Sequence, residues 1–209
     1  LQTSADLESL TRTAAKLGLR ARAARGGPPI PSLWFFTDPV RTPDPEAIAR
    51  RLPAGGAVVY RPFGASEAAA VAARLRRIAW DRGLRLLIGA DAELAALAGA
   101  DGVHLPERLM RMAPRLARAH PGWLISAAAH GARAIRLGGA LRVDVLVVSA
   151  VFPSRSPSAG APLGPVRFAG LIRDAEPAVI ALGGVTHKNA PRLLSTGAAG
   201  IAAVDGLAG

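Results

Sequence analysis

Short apolar runs recur along the chain, separated by longer segments in which apolar residues fall three and four apart. Eight runs read as strands: LWFFTD, AVVYR, LRLLIG, DGVHL, WLISA, VDVLVVSA, AVIALGG and GIAAVD, between Leu33 and Asp205. Each is continuously apolar, as in a parallel strand buried on both faces. The segments between them predict helices over 45–52, 66–82, 91–98, 113–119, 131–138, 165–175 and 187–195. Ser66 with Glu67, and Thr186, read as N-terminal caps. Pro114 suits a first helical turn. Residues 4–25 predict a further helix before the first strand, with Leu7, Leu10, Ala14 and Leu17 on one face. The stiff linker GGPPIPS, Gly26 to Ser32, ends it.

Eight βα units allow a doubly wound open sheet or a (β/α)8 barrel. A dinucleotide fold needs its glycine-rich turn after the first strand. Here that turn is TDPVRTPDP, without glycine. The glycine-rich turns follow strands seven and eight, where barrels commonly seat a phosphate. The expected fold is therefore α/β: a (β/α)8 TIM barrel over 33–209, preceded by an N-terminal helix and linker over 1–32. The chain stops at Gly209, just after strand eight, so the final helix is expected to be absent or supplied from elsewhere.

Composition narrows the function classes. Half of the 209 residues are hydrophobic, enough for one sizeable core. No apolar run approaches the roughly 18 residues of a membrane span, and no basic segment followed by an apolar stretch opens the chain. A cytoplasmic protein without membrane partners is expected. There is no cysteine, which excludes disulfides, thiolate catalysis and zinc–cysteine sites. The net charge of +11 is almost entirely arginine, with lysine only at Lys16 and Lys188. The arginines are scattered over helix faces without interleaved aromatic residues, so no nucleic-acid partner is expected.

The candidate chemistry begins at ALGGVTHKN, Ala181 to Asn189. In a barrel, Gly183-Gly184 lies beside AVDGLAG, which holds Asp205 and Gly206. Bare amides on both turns, with the positive end of a helix starting near Thr186, would form an anion seat. Two tight turns with no ligand would also account for these glycines.

LWFFTD, ADGVHLPE, AVFPSRSPSAGAPLG and ALGGVTHKNAPRLLSTGAAGIAAVDG resemble, in order and spacing, blocks of the thiamine phosphate synthase and thiazole tautomerase superfamily. The resemblance runs from about Leu33 to Leu207. It implies a (β/α)8 barrel that binds a thiazole phosphate, with the phosphate on the Gly-Gly turn and the loop after strand eight. In the synthase branch a pyrimidine diphosphate loses pyrophosphate, which calls for Mg²⁺ on carboxylates and for basic side chains.

Position by position, that apparatus is thinned here. The family's Arg-Glu-Lys becomes Arg61-Pro62-Phe63, and its Asn-Asp becomes Gly89-Ala90. The second metal aspartate falls on Leu109, and a serine after strand five falls on Ala128. Thr-x-Thr-Lys becomes Ser154-Arg155-Ser156-Pro157, keeping both hydroxyls and losing the lysine. The phosphate-holding serine of strand eight becomes Asp205, a charge that would repel phosphate if it points inward. Asp91 and Glu107 could supply a shifted metal site and Arg155 could replace the lysine. Their plainer roles are a helix cap for Asp91 and an exposed loop charge for Glu107.

His130 follows LISAAA at the mouth after strand five. The resembling tautomerase branch has a histidine there as proton shuttle, and imidazole can give and take a proton near neutral pH. A surface or capping role is the alternative. His104 reads as a satisfied core histidine, His120 and His187 as exposed, and the four are too dispersed for a metal cluster.

The expected function is a thiamine-pathway barrel that binds a small thiazole-phosphate-like ligand and performs tautomerase-like proton transfer, or has reduced activity. His130 is the acid–base candidate. Arg61, Ser154 and Ser156 would orient the ligand, and Gly183, Gly184, Asp205 and Gly206 would line the phosphate seat. No metal site and no cofactor are expected on this reading. A Mg²⁺-dependent thiamine phosphate synthase with substituted ligands is the second reading, and a non-catalytic ligand- or partner-binding barrel the third. The resemblance also implies a possible homo-oligomer, for which the first helix could serve.

Overall fold

Eight parallel strands close into a barrel in sequence order in the computed structural model of the chain, which describes residues 3–26, 29–156 and 160–208. The strands are β1 (Leu33–Phe36), β2 (Ala57–Tyr60), β3 (Arg85–Gly89), β4 (Gly102–Leu105), β5 (Leu124–Ala129), β6 (Val145–Val148), β7 (Ala178–Ala181) and β8 (Gly200–Ala203). β8 pairs with β1, Trp34 opposite Ala202, and leaves no open edge. Alternate residues face inward. Trp34, Phe36, Val59, Leu87, Val147 and Ile180 fill the barrel, while Phe35, Val58, Leu86, Leu146 and Val179 pack outward under the helices. This double burial is why the strands read as unbroken apolar runs.

The helices are α1 (Ser4–Arg25), α2 (Pro45–Arg51), α3 (Ala68–Arg82), α4 (Ala92–Leu97), α5 (Ala113–Ala119), α6 (Ala132–Ala140) and α7 (Gly164–Ile172). α1 starts at a reciprocal cap in which Asp6 N donates to Thr3 Oγ1 and Thr3 N donates to Asp6 Oδ2. Its buried stripe, Leu10, Ala14 and Leu17, packs against β1, β8 and the turn Ala190–Leu193. α1 thus covers the β8–β1 seam, where a helix after β8 would lie. Part of the linker read from the sequence, Gly27 and Pro28, lies outside the described residues, as do Pro157 and Gly209.

Three sequence expectations need correction. The segment 187–195 is not an α-helix: it contains only the 3-10 turn Ala190–Leu193. Asn189 closes the preceding loop, with Thr186 N donating to Asn189 Oδ1 and Asn189 Nδ2 donating to the Gly184 carbonyl. Thr186 therefore caps no helix, and no helix dipole points at the Gly-Gly turn. In 66–82 the helix begins at Ala68, and Glu67 makes no side-chain cap. The helix of 165–175 runs from Gly164 to Ile172. No helix among the described residues is long and apolar enough to cross a membrane.

Candidate functional site

The C-terminal mouth of the barrel opens into a cavity of ≈ 710 Å³, within the range of small-molecule sites. Phe36 and His104 form part of its floor, and the loops after β1, β2, β6, β7 and β8 rise around it. All the sequence-predicted site residues line it: Arg61, His130, Ser154, Ser156, Gly183, Gly184, Asp205 and Gly206.

The Gly-Gly turn is built by close packing. Gly183 and Gly184 have φ of 96° and 64°, a region that other residues rarely adopt. A Cβ on Gly184 would lie 2.1 Å from the Pro153 carbonyl oxygen. The loop after β6 is pressed against this turn, with Phe152 N donating to the Gly183 carbonyl at 2.9 Å. A Cβ on Gly206 would lie 2.4 Å from the Val185 carbonyl oxygen, so the loops after β7 and β8 lie side by side. Packing alone therefore accounts for these glycines. What bears on a ligand is that the amides of Gly183, Gly184 and Val185 donate to no described residue.

Arginines line the same cavity as this turn. Arg61 leaves β2 with its amide donating to Thr37 Oγ1 at 2.9 Å and its Nε to the Thr37 carbonyl at 2.7 Å. Its guanidinium lies between two rings, 5.7 Å from the centroid of Phe36 and 5.1 Å from that of Phe63. Phe63, standing where the family has lysine, thus stacks on the neighbouring arginine. Arg61 Nη2 is buried without a hydrogen-bond partner among the described residues, and the Asp38 carboxylate is 3.7 Å away. Burial pushes the Arg61 guanidinium below its usual range, and Asp38 only partly opposes this. An arginine nevertheless stays charged.

The sequence reading missed Asp38 and Arg41, which complete the cluster. Asp38 accepts from Arg41 Nη2 at 2.8 Å and from the amides of Arg41 and Val40 at 3.0 and 3.2 Å. The hydrogen bond from the Arg41 side chain is the main reason that Asp38 is held down to about 2, against the opposing effect of burial. Arg41 also lies 3.5 Å from Asp205, and Arg155 lies 3.4 Å from the same Asp205 oxygen. Burial disfavours the Arg41 charge, but the two carboxylates outweigh it and raise its pKa. The Asp-x-x-Arg-Thr spacing in TDPVRT was the available signal. Thr42 Oγ1 accepts from Asp38 N, fixing the local turn.

His130 is exposed at the end of β5. Its amide donates to Glu107 Oε2 at 3.0 Å, and its Nδ1 lies 3.4 Å from the Ser149 carbonyl oxygen and 3.5 Å from Ser149 Oγ. The backbone is pinned and the ring is loosely held at the rim. Glu107 thus has a partner, and it is exposed but opens the 3-10 turn Glu107–Met112 rather than lying in a loop. Ser154 Oγ accepts from Ser156 N at 3.2 Å, which orders the loop after β6. His104 is the satisfied core histidine expected, its Nδ1 3.0 Å from Ser126 Oγ. Ser126 donates to the Val103 carbonyl, so His104 Nδ1 carries the hydrogen and Nε2 is an acceptor. Burial, aided by Arg61, pushes His104 down to about 3. His120 is half-buried and stacked on Trp123 at 3.7 Å, rather than exposed. His187, also half-buried, lies 3.3 Å from Asp6 of α1.

Residues 33–207 match the family model described as thiamine monophosphate synthase. The chain belongs to the thiamine monophosphate synthase family. A thiamine-phosphate synthase of Alcanivorax borkumensis is 31% identical over 192 residues, covering 85% of each chain. A Geobacter sulfurreducens relative is 35% identical over 138 residues, which cover 66% of this chain and 65% of that one. A solved thiamine phosphate pyrophosphorylase of Pyrococcus furiosus shares the fold, with a TM-score of 0.72 and 23% identity over 83% of this chain and 85% of that one.

The Mg²⁺ that the resemblance to the synthase branch implies finds neither of that branch's two carboxylates, whose positions hold Ala90 and Leu109. No group of three or more His, Asp or Glu side chains able to hold a metal occurs among the described residues. Asp91 caps α4, accepting from Leu94 N at 2.8 Å. Glu107 is engaged by the His130 amide. A Cβ on Gly89 would lie 3.0 Å from Arg61 Cγ, so the arginine stem fills space beside the missing asparagine. Both carboxylates considered for a shifted metal site thus accept backbone amides.

Proposed function

We propose that this member of the thiamine monophosphate synthase family binds a phosphorylated, thiazole-type ligand in the mouth cavity. The phosphate would sit on the amides of Gly183, Gly184 and Val185, bordered by Gly206. Arg61, Ser154 and Ser156 would orient the ring and its substituents. The supporting observation is Arg61 Nη2, a buried cationic donor without a hydrogen-bond acceptor among the described residues. Such a group normally has a partner, and an anionic ligand would provide one. The chemistry on this reading is proton transfer by His130, whose ring is at the rim and can exchange with solvent.

A His130→Ala variant should keep thiazole phosphate binding by calorimetry and lose tautomerase turnover by about 10²-fold or more. Unchanged turnover removes His130 from the mechanism. The names of the curated relatives favour a second reading, coupling of a pyrimidine diphosphate to the thiazole phosphate. Here Arg41, Arg61 and Arg155 would meet the leaving-group charge. Pyrophosphate release from that pair of substrates separates the two readings, and robust turnover selects the second.

A further inference from the structure

Two carboxylates stand among the arginines of the mouth, and they are held very differently. Asp38 accepts two backbone amides and a 2.8 Å bond from Arg41. Asp205 has only longer ion pairs, 3.5 Å to Arg41 and 3.4 Å to Arg155. Asp38 is part of the frame, whereas Asp205 is weakly tethered. Its backbone lies in the loop after β8, against the loop after β7 that carries the undonated amides. Asp205 is about one-third exposed and Arg155 is mostly exposed, at 83%, so neither is locked by packing.

A carboxylate between two guanidiniums on the anion-binding rim of a barrel occupies the kind of place a phosphate oxygen would take. We infer that Asp205 is a built-in competitor for the phosphate seat: it holds Arg41 and Arg155 in the ligand-free protein and must swing aside when an anion enters. Its effect is selective. A singly charged or weakly held anion does not displace it. A dianionic phosphate gains more from the same arginines and does. Asp205 thereby sets the affinity threshold of the site. The inference rests on the phosphate-binding reading above.

Inorganic phosphate, titrated calorimetrically at low salt, is the probe. Asp205→Ser should bind phosphate roughly five- to tenfold more tightly than the unaltered chain, with Asp205→Asn close behind. The gain should shrink as ionic strength rises. Arg155→Gln should weaken binding. Asp81→Ser, an equal change of net charge on exposed α3 outside the cavity, should leave it unchanged. If Asp205→Ser binds no better than the unaltered chain, or if Asp81→Ser gains as much, the competitor role is overturned while the phosphate seat stands. If neither the unaltered chain nor any variant binds phosphate, the seat itself falls and this inference with it. Should Asp205→Ser fail to fold, Asp205→Asn carries the same comparison.

Discussion

Arg61 shows what the mouth costs the fold. A buried guanidinium nitrogen without a hydrogen-bond partner forfeits about 1–3 kcal/mol. The two flanking rings and Asp38 return part of that. Replacing Arg61 with methionine, of similar length and apolar, relieves that cost but gives up the Nε bond to the Thr37 carbonyl, so the melting temperature should shift by no more than a few degrees, at about 2–4 °C per kcal/mol. The same variant should lose phosphate and thiazole phosphate affinity by tenfold or more. A scanning calorimeter and a binding isotherm check the two halves independently. A variant with undiminished affinity would remove Arg61 from the site. Arg61, which lines the mouth cavity, was legible as a candidate through its place in the strand-two motif. Its stacking on Phe63 was not, because Phe63 reads as a lost lysine until the left-handed turn at Phe63 and Gly64 is seen to fold the ring back.

At the scale of elements, the eight strands were legible because each is apolar on both faces, and a barrel with a helical jacket buries both. The helix after β7 was misread. Thr186 followed by an apolar run satisfies the ordinary starting signal, but the Asn189 side chain bridges back to Gly184 and Thr186, and that closure depends on the loop conformation. Asp38 and Arg41 were missed because their partner Asp205 lies far along the sequence and only barrel closure brings them together. The Gly-Gly turn was legible as a tight turn, and close packing accounts for its two glycines. Gly184→Ala places a methyl against the Pro153 carbonyl at a φ of 64°. It should destabilise the protein by about 3 kcal/mol or more, seen as a large fall in denaturation midpoint. A fall within a few tenths of a kcal/mol would mean the loop after β6 moves freely.

For the whole molecule, the buried histidine makes stability depend on pH. Folded His104 protonates only near 3, because of burial and then Arg61, whereas an unfolded histidine protonates near 6.5. Between those values the unfolded chain binds the extra proton, so stability rises with pH and is lost as pH falls from about 6.5 toward 3. The slope from this one group is at most about 1.4 kcal/mol per pH unit. His104→Gln should flatten that acid arm, measured as melting temperature between pH 6.5 and 4. An unchanged slope would show that His104 is not the group responsible.

The placement of α1 over the β8–β1 seam has a consequence for how the chain is made. Its apolar stripe, Leu10, Ala14 and Leu17, is synthesised before every strand of the barrel, and its partner strand β8 is the last of the eight. The hydrogen bond from Arg20 to the Leu194 carbonyl spans a sequence separation of 174. Until synthesis has passed β8, that stripe has half its docking surface missing. Contacts of such separation carry the full loop-closure cost and form late. The helix therefore acts as a latch: a segment made before every strand is among the last to be satisfied, and it locks the barrel only when every strand between is already in place.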